Sequence, residues 1–260
     1  MSDTPTLELH GISKHFGSVQ ALTDVDFEVG SGEVMALVGD NGAGKSTLIK
    51  CVAGIHTIDG GEISFEGKPV QIHGPKDAAR LGIDIVYQDL ALCDNLDVVQ
   101  NMYLGREEHD VVFRLKEAVM EKKTEETLAS LSVTTLRSVR QPVATLSGGQ
   151  RQSVAVARAV MWNSRVVILD EPTAALGVAQ TRQVLDLVRR LAEKGQAVVI
   201  VSHNLHDIFE VADRITVLRL GRNVGVYDRH KTTQQEIVGA ITAGVPTKVS
   251  GIADEAEVAP

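Results

Sequence analysis

The chain has 260 residues, 43 % of them hydrophobic, enough for one large domain with a core or for a domain with a subdomain and a tail. Its formal net charge of −8 disfavours a nucleic-acid partner, because a phosphate backbone would be repelled. Two widely spaced cysteines, Cys51 and Cys93, form neither a zinc pattern nor a disulfide framework and fit a reducing cytosolic compartment; the opening MSDTPTLELH has no signal core, and no run approaches the roughly 20 apolar residues that span a bilayer, so a membrane role is expected to be peripheral.

Residues 6–12 and 21–29 read as strands separated by a turn near Gly17. Residues 33–38 are a short apolar run, a buried strand, and it ends at the stretch GDNGAGKST (39–47). The helix expected over 45–53 places Leu48, Ile49 and Val52 on one side. Alternation over 61–70 around Gly67 and Lys68 predicts a hairpin, and 83–87 another apolar strand. From about 89 to 163 strand signals fade. Within that stretch 114–131, with Leu115, Val119 and Leu128 among many charges, reads as an amphipathic surface helix, so 89–163 is expected to be a helical subdomain inserted into an α/β core. Strand and helix then alternate, with strands over 166–169, 197–201 and 215–220 and helices over 178–194 and 204–212. That alternation argues for a parallel sheet covered by helices. The folded domain is expected over 1–244, and the small acidic stretch 245–260 as a disordered tail.

GDNGAGKST follows an expected buried strand and opens an expected helix, the context a phosphate-binding P-loop requires. Gly39, Gly42 and Gly44 let the backbone turn tightly and aim N–H groups at phosphate oxygens. The helix N-terminus adds about half a positive charge. Asp40 needs only its backbone there, so its side chain is expected to point away; Asn41 and Ala43 complete the loop. Lys45 can reach the β and γ phosphates, Ser46 can ligate Mg2+, and Thr47 can contact the α-phosphate. A glycine-rich turn with an exposed lysine is the plainer alternative. VVILDEP (166–172) is an apolar strand that ends in two acids. Asp170, at the strand's C-terminal edge, suits a Mg2+ partner, direct or through water. Glu171 can serve as general base to an attacking water, a role typically worth about 10²–10⁴ in rate. Without the P-loop the pair would read equally well as two acids in a surface turn.

LSGGQRQ (146–152) contains Ser147 followed at the third position by Gln150, a capping box that would start a helix running through Met161. Capping alone does not call for Gly148 and Gly149. Two bare residues let another molecule approach the backbone closely.

P-loop, LSGGQ, LDEP and a later SH, in this order, resemble the motifs of ATP-binding-cassette (ABC) ATPases over roughly residues 6–225. The fold that resemblance implies is α/β: a P-loop NTPase core with a parallel sheet flanked by helices, an N-terminal antiparallel β subdomain and an inserted helical subdomain. Its implied ligands are ATP and Mg2+. It also implies that Ser147, Gly148, Gly149 and Gln150 grip the γ-phosphate of an ATP held by a second copy's P-loop, so the working unit is a head-to-tail dimer of ATPase subunits, expected to be a homodimer. Phe16, in KHFG, would stack on adenine. Gln88 would touch Mg2+ and the water and link to a membrane partner. His203, in VSHN, would contact the γ-phosphate and orient Glu171. Each has a plainer reading: a core aromatic, a polar strand end, a structural histidine. One departure stands out: where many of these ATPases read SALD, this chain reads AALG, and Gly177 replaces an aspartate that helps couple the two sites.

The wording of YQDLALCDNLDVVQNMYLGRE, EPTAALGV and SHNLHDIFEVADRITVLRLGR is similar to the bacterial monosaccharide importers of the ribose, xylose and fructose class, in their single-cassette form. That similarity implies an integral-membrane sugar permease as partner, a periplasmic sugar-binding protein as an indirect one, and a place on the cytoplasmic face of the bacterial inner membrane. Residues 86–107 would then form the groove for a permease helix, with Leu92, Leu96, Val98, Met102 and Leu104 as contacts, or else as internal packing. A nucleotide switch acting on a soluble partner and the ATPase of a separate-subunit exporter stay open as alternatives.

Overall fold

Five consecutive apolar residues, Val34–Val38 (β3), divide between two cores: Val34, Ala36 and Val38 face one, Met35 and Leu37 the other. A strand buried on both faces shows a continuous apolar run, because each side of the pleat meets a core. The computed structural model describes residues 4–244, and the expected tail over 245–260 lies outside them. β3 sits inside a sheet with β6 (Ile83–Val86), β7 (Val166–Asp170), β8 (Ala197–Val201), β9 (Arg214–Arg219) and β10 (Arg222–Asp228), in the order β10-β9-β3-β8-β7-β6. Five of these strands run parallel; β10 turns back antiparallel on the edge. The sequence reading stopped at residue 220 and had no such strand. Leu220 and Gly221 both take positive φ (46° and 74°), a two-residue hairpin turn that a leucine rarely enters.

A second sheet, wholly antiparallel, consists of β1 (Leu7–Phe16), β2 (Val19–Val29), β4 (Gly60–Phe65) and β5 (Lys68–Val70) in the order β2-β1-β4-β5. Its inward residues Leu7, Leu9, Ile12, Leu22 and Val25 join Met35 and Leu37 of β3 in one core. Helix α1 (Lys45–Val52) adds Leu48, Ile49 and Val52 to it, the side expected from the sequence. The opposite face of the large sheet is covered by α5 (Gly148–Val160), α6 (Val178–Glu193), α7 (Leu205–Val211) and α8 (Gln234–Ala243). Between β6 and β7 the chain is helical, with α3 (Val98–Tyr103), α4 (Glu117–Ser130), a 3-10 turn (Val143–Thr145) and α5. Helix α2 (Pro75–Leu81) precedes β6. Among the described residues no helix is long and apolar enough to cross a membrane.

Helix α4 corrects one expectation. Its buried row is Met120, Thr124 and Leu128, at four-residue spacing, while Leu115 and Val119 are 54 % and 49 % exposed. Leu115 precedes the first helical turn, and Val119 lies one position off the row that packing selects. Helices α2, α3 and α8 were not read from the sequence; each is ten residues or shorter.

Arg214 clasps the entry of the large sheet. Its guanidinium donates to Glu33 at 2.6 and 3.1 Å and to Glu28 at 2.7 Å, tying β9 to the start of β3 and to β2. Those hydrogen bonds hold it in the charged form above its usual range. Arg214→Ala is expected to cost about 1–2 kcal/mol once solvent screening of these partly exposed groups is counted. Thermal unfolding should show it as a drop of about 2–8 °C in midpoint; an unchanged midpoint would mean the clasp is ornamental.

Candidate active site

The P-loop leaves β3 at Val38 and enters α1 at Lys45. Gly39 has φ 154°, and a Cβ there would lie 2.2 Å from the Leu218 carbonyl oxygen and 2.9 Å from Ala43 Cβ, so only glycine fits against β9. Gly44 caps α1 in a left-handed conformation, and no side chain caps the helix. Its first-turn N–H groups are thus left for an external acceptor. Asp40, Asn41, Gly42 and Ser46 are exposed, Ala43 is buried, and Gly44, Lys45 and Thr47 lie between. Lys45 Nζ donates to the carbonyls of Gly39 at 2.7 Å and Asp40 at 3.0 Å. Burial lowers its pKa, against the pull of Glu171, Asp40 and Asp170.

Residues 41–47 line a cleft of about 490 Å3 together with Val19, Gln20, Ala21 and the Leu220–Gly221 turn. These last five were not anticipated, although LRLGRNV carries a hairpin signal in its lone glycine between apolar stretches. The turn also braces the loop. Gly221 N–H donates to Ala43 O at 3.0 Å, and Gly221 O accepts from Thr23 N–H at 2.7 Å.

The neighbouring strand ends bring the remaining groups to the same edge. Asp170 closes β7, with Glu171 directly after it at φ 50°, and His203 stands two residues past β8. Glu171 Oε2 lies 2.9 Å from His203 Nδ1, with the imidazole largely exposed and the carboxylate mostly covered. A hydrogen bond from Glu171 N–H to Val201 O at 2.8 Å fixes the unusual backbone. Burial, then the Glu171 charge, pushes the Asp170 pKa up, while Lys45 and Lys50 oppose the rise. Half-buried Tyr87, which the sequence reading passed over, feels the Asp170 charge too. Gln88 stands exposed just beyond β6, on the strand next to β7, and makes no contact that joins it to this group. The oxygen donors of Ser46, Asp170 and Gln88 suit Mg2+, which keeps several waters and takes one or two carboxylates beside substrate phosphates. No group of three or more His, Cys, Asp and Glu that could hold a metal ion exists among the described residues.

Phe16 is not a core aromatic: it ends β1, 44 % exposed, opposite Val19 of the cleft. The signature segment lies elsewhere. No residue of 147–150 lines the P-loop cleft. Ser147 and Gln150 form the expected capping box, Ser147 N–H to Gln150 Oε1 at 2.9 Å and Gln150 N–H to Ser147 Oγ at 3.4 Å. The two glycines differ. Gly148 is exposed, and a Cβ on it would meet only the tip of Leu176 at 3.0 Å. Gly149 is buried, and a Cβ on it would press on Gln180 Cβ at 3.0 Å and Cγ at 3.2 Å. Packing against the chain's own α6 therefore also calls for a bare residue at 149. Gln180 Oε1 also accepts from the Gly177 N–H at 3.2 Å, at the start of α6.

A family model described as ABC transporter matches residues 22–174. The chain belongs to the ABC transporter family. It is 46 % identical to the fructose import ATP-binding protein FrcA of Rhizobium meliloti, over 93 % of this chain and 95 % of that one. Against the xylose/arabinose import ATP-binding protein XylG of Sulfolobus acidocaldarius it is 45 % identical, over 96 % of this chain and 98 % of the relative. The ADP conformation of the ATP-binding cassette MJ1267 superposes with a TM-score of 0.78 at 26 % identity, covering 91 % of this chain and 94 % of that one. This ABC ATPase thus has the α/β P-loop architecture that its motifs implied.

The unequal glycines of the ABC signature make a separable prediction. Gly149→Ala should overpack against Gln180 and cost about 1–3 kcal/mol, read as a lower unfolding midpoint. Gly148→Ala should leave the midpoint within about 0.5 kcal/mol of the parent yet reduce ATP hydrolysis. Equal loss of stability in both variants would mean that the pair is packing alone.

Proposed function

We propose that this chain is the ATP-hydrolysing subunit of a monosaccharide importer, working as a head-to-tail pair of identical chains beneath an integral-membrane permease. The observation that carries the hydrolytic part is the Glu171–His203 pair at 2.9 Å, His203 past the end of β8, the neighbour of the P-loop strand, and Glu171 past the end of β7, the next strand over. The P-loop N–H groups and Lys45 bind the triphosphate, Lys45 exchanging its two carbonyl partners for phosphate oxygens. When bound, Mg2+ would supply positive charge against the charge that develops on the phosphates. Ser46, Asp170 and Gln88 would hold it. Glu171 takes the proton of the attacking water, and His203 keeps that carboxylate aimed. Phe16 stacks on the base.

Ser147, Gly148, Gly149 and Gln150 close over the nucleotide of the other chain. Their absence from this chain's own cleft supports that division. Import is supported by the names of the relatives, which serve fructose and xylose or arabinose. Of the five apolar residues expected at the permease, Val98 and Met102 are fully buried in the chain's own core, in keeping with the internal packing that was their alternative reading. Leu104 is half exposed and, with Arg106, Arg158 and Trp162, lines a cleft of about 260 Å3 that would receive the permease element. The sugar is of the fructose, ribose or xylose type, delivered by a periplasmic binding protein, and the ATPase works peripherally on the cytoplasmic face of the bacterial inner membrane.

Glu171→Gln is expected to lower kcat about 10²–10⁴-fold at unchanged ATP affinity and to shift the chain to a dimer on size-exclusion chromatography when ATP is present. Hydrolysis at the parent rate would remove Glu171 from the base role; a monomer with ATP bound would remove the shared site. In cells lacking the subunit, uptake of labelled fructose, ribose and xylose reads the transport role. Loss for one sugar fits the proposal, and undiminished uptake of all three rejects it.

A further inference from the structure

Strand β1 is irregular where it matters. Its pairing with β2 shifts register between Ile12 and Lys14 and again between Lys14 and His15, immediately before Phe16. Ladder bonds alone do not fix the direction of a strand end interrupted in this way. Asp59, in the loop between α1 and β4, supplies what is missing. Its Oδ1 accepts from Lys14 Nζ at 3.0 Å, and its Oδ2 accepts from the His15 N–H at 2.7 Å and lies 2.8 Å from His15 Nδ1. The Asp59 N–H donates to Ser13 O at 2.9 Å. One residue therefore grips three consecutive positions of β1. These hydrogen bonds, the backbone one first, lower the Asp59 pKa and keep it a carboxylate.

The held lysine has a second contact. Lys14 is only 8 % exposed, and its ammonium lies over the Phe16 ring, 5.4 Å from the centroid. His56 meets the same ring edge-on at 5.0 Å. A cation against one face draws on the ring quadrupole and fixes the ring's tilt. The rest of Phe16 is open beside Val19, whose side chain lines the P-loop cleft.

We propose that Asp59 and Lys14 are positioning residues for the nucleotide base: the carboxylate pins the interrupted end of β1, and the ammonium it holds backs the Phe16 ring so that the open face is presented to a purine. This rests on the reading of Phe16 as the base-stacking residue, and it adds a device that sets how well that ring stacks.

The test compares equilibrium binding of ATP and of inorganic tripolyphosphate, each with Mg2+, to the full chain and to Phe16→Ala, Asp59→Asn and Lys14→Met. Phe16→Ala should weaken ATP binding about 5- to 30-fold and leave tripolyphosphate unchanged, the loss expected of one base–aromatic stack. Asp59→Asn and Lys14→Met should each weaken ATP about 3- to 10-fold, again with tripolyphosphate unchanged, and Asp59→Asn should add nothing in a Phe16→Ala background. A merely structural Asp59 would weaken both ligands or add its loss to that of Phe16→Ala, and either result overturns the positioning role while Phe16 stays in place. An unaltered ATP affinity in Phe16→Ala overturns the base-stacking reading and the proposal with it. If Asp59→Asn does not fold, Lys14→Met decides: ATP-selective weakening sustains the proposal, and equal or absent effects on the two ligands end it.

Discussion

Burial on both faces fixes the register of the central strands, and everything at their ends depends on it. A slip of one residue would turn each side chain of β3, β7 or β8 from one core to the other, exchanging Ala36 for Met35 against helices shaped for the smaller residue. With register fixed, Leu37 pairs with Val201, Asp170 with Val201, and Val86 with Leu169, so the strands finish level. The P-loop, His203, Glu171 and Gln88 each follow such an end, one strand apart in the order β3, β8, β7, β6. The shared edge is a consequence of hydrophobic packing, and the chemistry is laid along it.

That edge brings a lysine and two acids together in partial burial. Desolvation disfavours the charge on Lys45, and desolvation with Glu171 disfavours it on Asp170, while attraction between the two resists both. A triphosphate with its metal would supply the counter-charges that these groups lack in the protein alone. His203 offers Glu171 a hydrogen-bond partner while remaining largely open to solvent, so it can reach a phosphate without uncovering the carboxylate.

Segments whose meaning is local were legible. A full apolar run such as Val34–Val38 admits few structures, and GDNGAGKST and LDEP carry their chemistry in their own spacing. Helices α2, α3 and α8 offer too little periodicity of their own and, unlike the equally short α1 and α7, do not follow a clear buried strand, even though their starts were written out: Asp97 with Gln100 for α3, Thr233 with Glu236 for α8, and a proline at the head of α2. Strand β10 was hidden by Leu220, which takes a conformation its type does not advertise. Other features join distant residues and could not be read at all. The need for Gly149 is set by Gln180, Phe16 is backed by a lysine held from Asp59, and the sheet entry is held by Arg214 reaching Glu28. The two readings left open for Val98 and Met102 have the same root: an apolar residue in an amphipathic segment looks alike whether its partner is a permease or its own core.

Lys45, finally, is already engaged by its own loop. Its ammonium sits on the carbonyls of Gly39 and Asp40, and those contacts brace the turn from inside. On the proposed role of Lys45, an arriving polyphosphate would swap neutral acceptors for anionic ones, and the net gain would be a difference between two occupied arrangements. The same exchange run backwards would give the cation somewhere to go as spent nucleotide departs. Affinity would be tempered at the start of each cycle and ejection eased at its close, the balance wanted in a motor that must let go as readily as it grasps.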